Sequence, residues 1–297
     1  LNSDQLYKYS IILFFVSLIS LFLVPFIGVE VKGSKRWIDL FFLPRFQPIE
    51  VLKPFLIIIL ATILCDIKSN ILFKYLISIF LISFISLLLI AQPDIGQTLL
   101  VIFCWAVLIF TSGINIYILL AIFIAGASLL TYLIIYVPRF DYIQGRIFSF
   151  FNRETGTHNF QSDKAIESIT SGGFFGKGIG EGVLKNRVPE AHTDYIISVI
   201  SEEFGVVAIM LILLLFLILI YMVFKKISFE TNDKVKLILI GSISLILMQA
   251  TIHVGVNIRL FPTTGMTLPF LSYGGSSIIS TSILGGIILN LTKRKIT

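Results

Sequence analysis

The stretch FGVVAIMLILLLFLILIYMVF, residues 204–224, runs for 21 residues without a charged side chain. A run of about 20 apolar residues crosses the roughly 30 Å hydrocarbon layer as a helix, because only a helix or a closed barrel satisfies its own backbone hydrogen bonds in lipid. Working outward, apolar runs bounded by charges or by Pro and Gly lie near residues 9–27, 51–65, 74–91, 98–111, 114–137, 195–224, 235–260 and 271–291. They predict about eight spans. Composition agrees: the 297 residues are 56% hydrophobic and 13% charged, with mean hydropathy +0.96, against about 25% charge in soluble domains. The predicted fold class is all-α, a polytopic transmembrane helical bundle in one membrane domain covering residues 1–297, with one large loop at 138–193.

The formal charge of +6 sits mostly between apolar runs, so it is read as topology and lipid-headgroup charge, with no nucleic-acid partner. Lys225, Lys226, Lys234 and Lys236, with Lys293, Arg294 and Lys295, fall on one side and mark it cytoplasmic. The loop 138–193 is then extracytoplasmic, and so are Lys32, Lys35, Arg36 and Arg45. That second group breaks the positive-inside bias, so either the orientation is inverted or these cations meet something anionic outside. The loop mixes Phe148, Phe150, Phe151 and Phe160 with Arg146, Arg153 and Lys164, the composition of short amphipathic helices on a membrane surface. Cys65 and Cys104 lack metal-ligand spacing and read as small buried residues. The start, Leu1-Asn-Ser-Asp-Gln, has no Met, basic region or cleavage site. The first run is therefore expected to be a span and not a signal peptide, and the chain to be truncated at its start.

The sharpest polar constellation is Arg187-Val-Pro-Glu-Ala-His192-Thr-Asp194-Tyr-Ile-Ile-Ser-Val-Ile-Ser-Glu-Glu203, which runs from the long loop into a span. A helix beginning near His192 would place Asp194, Ser198, Ser201 and Gly205 on one face. Asp194 fits two roles equally: a proton acceptor whose pKa partial desolvation would raise, or an acid serving the helix dipole and cap. Glu50 and Lys53, at i and i+3 at the mouth of another span, are expected first to pair with each other. Arg36 and Trp37 are interface-anchor types, and an Arg there also suits a phosphate. Asp94, in Gln92-Pro-Asp94-Ile-Gly-Gln97, reads as a turn former.

The run Gly172-Gly-Phe-Phe-Gly-Lys177-Gly-Ile-Gly-Glu-Gly182 lacks both the Ser/Thr after Lys177 and a preceding strand, so a nucleotide loop is rejected. In Phe261-Pro-Thr-Thr-Gly-Met-Thr-Leu-Pro-Phe-Leu-Ser272-Tyr-Gly274-Gly275-Ser276-Ser277, the paired glycines are expected to permit close helix packing. Gln249, His253 and Asn257 are expected to form interhelical hydrogen bonds.

Five of these stretches, 33–37, 47–53, 92–96, 189–203 and 268–277, occur in order across nearly the whole chain. Together they resemble the SEDS family (shape, elongation, division and sporulation) of bacterial cell-wall polymerases. The wording around 180–194 and 264–275 is closer to the division branch than to the elongation branch. Departures are Ser34-Lys35 for the usual Ala-Arg, Ile49 for Ser and Tyr195 for Phe.

The resemblance implies an inverting peptidoglycan glycosyltransferase that joins lipid II into glycan strands at the outer face of the bacterial inner (cytoplasmic) membrane, at the division septum. It also implies ten spans, of which this chain supplies about eight, so the first two family helices are expected to be missing. Asp194 matches the family's essential Asp and is assigned as general base. The substrate-binding candidates are Arg36, Glu50, Lys53, Asp94, Lys185, Arg187, His192, Ser272, Gly274, Gly275 and Ser276. Arg36, Lys53, Lys185, Arg187 or a divalent cation (Mg or Mn) would offset the pyrophosphate charge; no protein metal ligand is assigned. Implied partners are undecaprenyl-pyrophosphate-linked glycan, a class B penicillin-binding protein transpeptidase and other divisome proteins. The alternatives are a flippase for the same lipid, an elongation-type polymerase, and a scaffold.

Overall fold

The computed structural model describes residues 3–31, 34–40, 43–66, 70–152 and 157–293. Gly33, Lys32, Arg153, Arg294 and Lys295, named above, lie outside them. Eight apolar helices coincide with the eight predicted spans: α1 (Ser3–Ile27), α2 (Pro48–Leu64), α3 (Ile71–Ala91), α4 (Ile95–Thr111), α5 (Ile116–Tyr136), α8 (Ile196–Phe229), α9 (Asp233–Asn257) and α10 (Gly275–Thr292). Six are long and apolar enough to cross a membrane. The other two, α2 and α4, have 17 residues each, near the lower limit for a span. This is a multi-pass membrane protein. Its exteriors carry the expected lipid-facing side chains, among them Phe15, Phe80, Tyr117 and Leu217, all exposed.

Local chemistry sets the helix starts. Asn70 accepts from Leu72 N (3.3 Å), Asp94 from Gln97 N (3.4 Å), and Asn115 from Tyr117 N (2.9 Å), each occupying an amide at its helix N-terminus. Asn232 does the same for α9 through Lys234 N (3.0 Å). Pro48 begins α2, where its missing N–H costs nothing.

The all-α body carries one addition, a small antiparallel sheet between α1 and α2. Strands β1 (Val29–Val31), β2 (Ser34–Leu40) and β3 (Leu43–Phe46) pair in the order β1-β2-β3. Glu30 stands opposite Lys35, and Ile38 opposite Phe46, so cross-strand charge and apolar pairs fix the register. The predicted loop 138–193 holds α6 (Asp141–Asn152), α7 (Thr157–Gly172) and a 3-10 turn at Leu184–Arg187. As expected of an amphipathic surface helix, α6 buries Ile143 and exposes Phe148 and Phe151.

The chain divides into two compact units. The first comprises Leu1–Gly113, Ile218–Gln249 and Tyr273–Thr297; the second comprises Ile114–Leu217 and Ala250–Ser272. In the first, α2 and α4 close on α9 at Gly241: a Cβ there would lie 2.7 Å from Ile57 Cγ2 and 3.0 Å from Leu108 Cδ2. Helices in lipid gain their packing from such small residues. Cys104 is buried, as expected, but Cys65 is half-exposed where α2 ends, because the helix stops there and leaves its last side chain uncovered.

In the second unit, α8 does not begin near His192. The amides of Thr193, Asp194 and Tyr195 all donate to Glu190 O (3.1, 3.1 and 3.3 Å), and Glu190 has φ +56°. Those amides are committed to a turn, so the helix begins at Ile196 and the expected helical face containing Asp194 does not form. The stripe below it packs as a buried seam: Ser198 and Ser201 have no exposed surface, Ser201 donates to Ile169 O (3.3 Å), and Ser198 O accepts from Ser168 (3.2 Å).

Helix α8 is also broken. Gly205 has φ 76° and ψ −177°, a region open essentially to glycine alone. A break exposes backbone groups that apolar surroundings cannot satisfy, and the run 172–178 satisfies them. Lys177 N donates to Glu202 O (2.9 Å) and Gly178 N to Glu203 O (3.0 Å), while Val206 N and Val207 N donate back to Gly173 O (3.0 Å) and Phe174 O (3.3 Å). Only glycine fits: Cβ atoms on Gly172, Gly176 and Gly205 would overlap Ser201 O, Glu203 O and Phe174 O. The glycine run, which has no nucleotide loop's chemistry, is a clasp on the break. Gly205→Ala is expected to combine that overlap with about 1–3 kcal/mol of backbone strain. Thermal unfolding of the detergent-purified protein should shift down by several degrees, whereas Gly126→Ala, exposed and unobstructed within α5, should not lower it.

Candidate functional site

Within the second unit, Asp194 occupies the turn that precedes α8, and that turn is tied down at consecutive carbonyls. Ser272 Oγ donates to Thr193 O (2.6 Å) and accepts from Leu268 N (2.8 Å). Asn257 Nδ2 donates to Asp194 O (3.0 Å) and to His253 O (2.9 Å). His253 Nδ1 meets Met266 O at 2.8 Å, joining α9 to the segment that carries Gly265 and Ser272. Gly265, at φ +69°, presents bare backbone to the carboxylate: a Cβ there would lie 3.5 Å from Asp194 Oδ2. The apolar floor is Ile197, Ala250 and Leu268, with Ile169 and Ile209 against them. Asp194 is thus a half-exposed carboxylate on a fixed backbone. Such a group can take a proton from a bound hydroxyl without first reorganising.

Tyr195, next in the chain, is buried and its hydroxyl has no hydrogen-bond partner. Burial pushes its phenol well above the usual range, the Asp194 charge pushes the same way, and Arg146 opposes both. Arg146, from α6, donates to Thr263 O (3.2 Å). It is therefore a cation whose field reaches the Asp194 turn, a role that its place in a mixed Phe/Arg stretch did not single out.

Below the turn, Glu202 is fully buried and joins four segments. It accepts from Ser168 Oγ (2.9 Å), Leu184 N (3.0 Å), Lys185 N (2.6 Å) and Lys177 Nζ (3.4 Å). Gly182 packs against it, where a Cβ would lie 2.9 Å from Glu202 Cδ. Lys185 also pairs through its ammonium with Glu203 Oε1, and the same oxygen accepts from Gly180 N at 3.1 Å. Lys185, one of the substrate-binding candidates, gives both its backbone amide and its side chain to this knot of two adjacent acids on α8. Arg187 and His192 are exposed.

In the first unit a second polar cluster forms. Lys53, with no exposed surface on its side chain, pairs with Glu50 (2.9 Å) and donates to Gln97 Oε1 (3.0 Å) and Gln249 Oε1 (3.3 Å). An ammonium has three donors, and all three are directed at protein. Lys53 thus makes the ion pair with Glu50 that its spacing suggested, with a reach across α2, α4 and α9 that sequence spacing does not reveal. Gln97 Nε2 completes it by donating to Glu50 Oε1 (2.6 Å); Glu50 Oε2 remains buried without a partner.

Closer to the helix ends, Arg36 Nε donates to Gln92 O (3.2 Å), its terminal nitrogen donates to Pro93 O, and its guanidinium lies 3.8 Å from Asp94. Gln47 Nε2 donates to Asp94 Oδ2 (3.0 Å), and Gln47 N to Ser276 Oγ (2.8 Å). Burial pushes the Asp94 carboxyl up, and the Arg36 charge and the Gln97 amide pull it back. Asp94 caps α4 as its turn position suggested, and it also ties β2 to the turn before α4. Gly275 has open space where its Cβ would be, so it does not serve the expected close packing, and Gly274 is extended backbone at φ −169°.

Arg36, Glu50, Lys53, Asp94 and Ser276 are thus brought together in one unit, with Gly274 and Gly275 beside Ser276 in sequence. Asp194 and Ser272 are joined in the other, where Lys185, Arg187 and His192 also lie. A cavity of about 550 Å3 in the second unit is lined by Phe150, Phe151, Ile166, Ile258 and Arg259 and does not include Asp194. Among the described residues no three His, Cys, Asp or Glu side chains converge to hold a metal ion.

Removing one partner of a buried pair leaves an uncompensated charge, at about 3–5 kcal/mol. Lys53→Met alone should therefore destabilise the protein by about that much, and combining it with Glu50→Gln should recover most of the loss. Chemical denaturation of the single and double variants would measure the coupling; additive losses would contradict the pairing.

The family model described as "Cell cycle protein", FtsW/RodA/SpoVE, matches residues 1–296. Similar proteins named "Probable peptidoglycan glycosyltransferase FtsW" come from Trichlorobacter lovleyi, 35% identical over 96% of this chain and 76% of that protein, and from Caulobacter vibrioides, 34% identical over 92% and 69%. Among solved structures, a chain described under "structural coordination of polymerization and crosslinking by a peptidoglycan synthase complex" superposes with TM-score 0.81 at 28% identity, covering 100% of this chain and 84% of that one. The rod shape determining protein RodA of Thermus thermophilus superposes with TM-score 0.71 at 28% identity, covering 100% and 82%. This chain, from its first apolar helix to its last, belongs to the FtsW/RodA/SpoVE family of cell cycle proteins.

Proposed function

We propose that this protein is a peptidoglycan glycosyltransferase that polymerises lipid II at the outer face of the cytoplasmic membrane during division, with Asp194 as general base. The observation that carries the reading is the Asp194 turn: a half-exposed carboxylate whose own carbonyl and its neighbour's are held by Asn257 and Ser272. The family supplies the reaction class, and relatives named FtsW at 34–35% identity support the division role over elongation.

In the proposed reaction the acceptor sugar's 4-hydroxyl attacks the anomeric carbon of the donor. The new glycosidic C–O bond forms as the bond to the lipid pyrophosphate breaks with inversion, and the hydroxyl proton passes to the Asp194 carboxylate. General-base catalysis of this kind contributes about 10²–10⁴-fold. The departing pyrophosphate needs positive charge. Lys53 and Lys185 are committed to buried or paired carboxylates, so in the second unit the exposed Arg187 is the better placed of the original candidates. A class B penicillin-binding protein fits as the partner that crosslinks the product, since a solved complex similar to this chain is described as coordinating polymerization and crosslinking.

The test is glycan-strand formation from labelled lipid II by purified protein with its transpeptidase partner. At equal folded amounts, Asp194→Ala and Asp194→Asn should each lower the rate at least about 100-fold; full activity in either would sink the general-base assignment. Asn257→Ala removes one tether of the turn without touching the carboxylate. It should lower the polymerisation rate about 10-fold or more through misplacement, with partner binding, read by co-purification, unchanged.

A further inference from the structure

The clasp on α8 carries more than backbone partners. Phe174, Phe175, Ile179 and Val183 project from it with 75%, 84%, 78% and 60% of their surface exposed. Four such side chains in one ten-residue loop make an apolar patch, the kind of surface that marks a contact. Its height is set by hydrogen bonds already described: Gly173 O and Phe174 O accept from Val206 N and Val207 N, the first amides after the break. From there the helix runs apolar through residues 206–224, up to Lys225 and Lys226, 19 residues or about 28 Å, the length of a membrane span. The break, and with it the loop, therefore sits where the membrane span of α8 starts.

The patch is continuous with a lipid-facing surface. Val206, Val207, Met210, Leu211 and Leu214 are all exposed directly along the helix from it. Lys177, the loop's one cation, keeps its ammonium on Glu202, on the polar side of the break. Apolar side chains beside the helix and a cation on its polar side are the two halves of an interfacial anchor.

We propose that the loop 172–183 is a membrane-interface anchor: Phe174, Phe175 and Ile179 insert among the acyl chains and hold the Gly205 break at the lipid–water boundary. The segment 196–204 and the Asp194 turn ahead of it are then kept at a fixed depth beside the bilayer, which suits an acceptor for a lipid-linked substrate. The occupant is lipid, and the anchor does not depend on which reaction the protein catalyses.

Phe175→Trp in the full chain, reconstituted in phosphatidylglycerol/phosphatidylethanolamine vesicles, tests this, with the unsubstituted protein supplying the background of Trp37 and Trp105. The added emission should be blue-shifted, quenched several-fold more by phospholipids brominated near the headgroup end of the chain than by aqueous iodide, and unaltered by saturating transpeptidase partner. Stronger quenching by iodide would overturn the proposal by placing the loop in water. Loss of the bromolipid quenching on adding the partner would overturn it by making the patch a protein-docking surface. Phe174→Trp repeats the measurement one residue away, and because both positions are exposed neither change should disturb folding. Phe174→Ser with Phe175→Ser should turn the emission of Ile179→Trp from bromolipid-quenched to iodide-quenched; retention of bromolipid quenching there would also count against the anchor.

Discussion

A helix that breaks at the edge of a membrane leaves carbonyls and amides with nothing to bond, and in apolar surroundings each costs several kcal/mol. In α8 the break at Gly205 is tolerated because another stretch of chain supplies the missing partners, two donors to Glu202 and Glu203 and two acceptors for Val206 and Val207. That exchange lets the membrane span and the segment that follows Asp194 take different directions. It also fixes residues 172–178 in place, puts Glu202 and Glu203 against the loop they organise, and binds Lys177 and Lys185. The second unit's polar architecture follows from satisfying one break.

The same demand governs the first unit in another form. Lys53 and Glu50 are buried within apolar helices, where desolvation of either ion alone is prohibitive. Gln97 and Gln249 convert the pair into a network spanning three helices. Such a network gives little net stability over an apolar core of the same shape, but it specifies which helix faces meet. Arg36, Asp94 and Gln47 extend that specification to the small sheet and the first turn of α4.

These commitments divide the cationic groups into two kinds. Lys53 and Lys185 hold the protein together, while Arg187 stays exposed on the 3-10 turn that Glu202 anchors. Around Asp194 the polar groups act on the main chain: Asn257 and Ser272 bond carbonyls, and Gly265 leaves room beside the carboxylate. A polar residue near a reactive acid is not thereby a substrate ligand, and here several fix the acid's position.

By itself the sequence determined the membrane class and the eight apolar helices, because the cost of burying charge in lipid is local and additive along the chain. What only tertiary structure decided were pairings between residues far apart in sequence: Lys185 with Glu203, Lys53 with Gln97 and Gln249, Ser272 with Thr193, and the glycine run with the break. Hydropathy carries no signal for these. A glycine run reads the same whether it faces a phosphate or another backbone, and the start of α8 moved to Ile196 because Glu190 O gathers three amides that helical periodicity would have assigned elsewhere. Which donor meets which acceptor depends on distances in space, and those are set only when the helices pack.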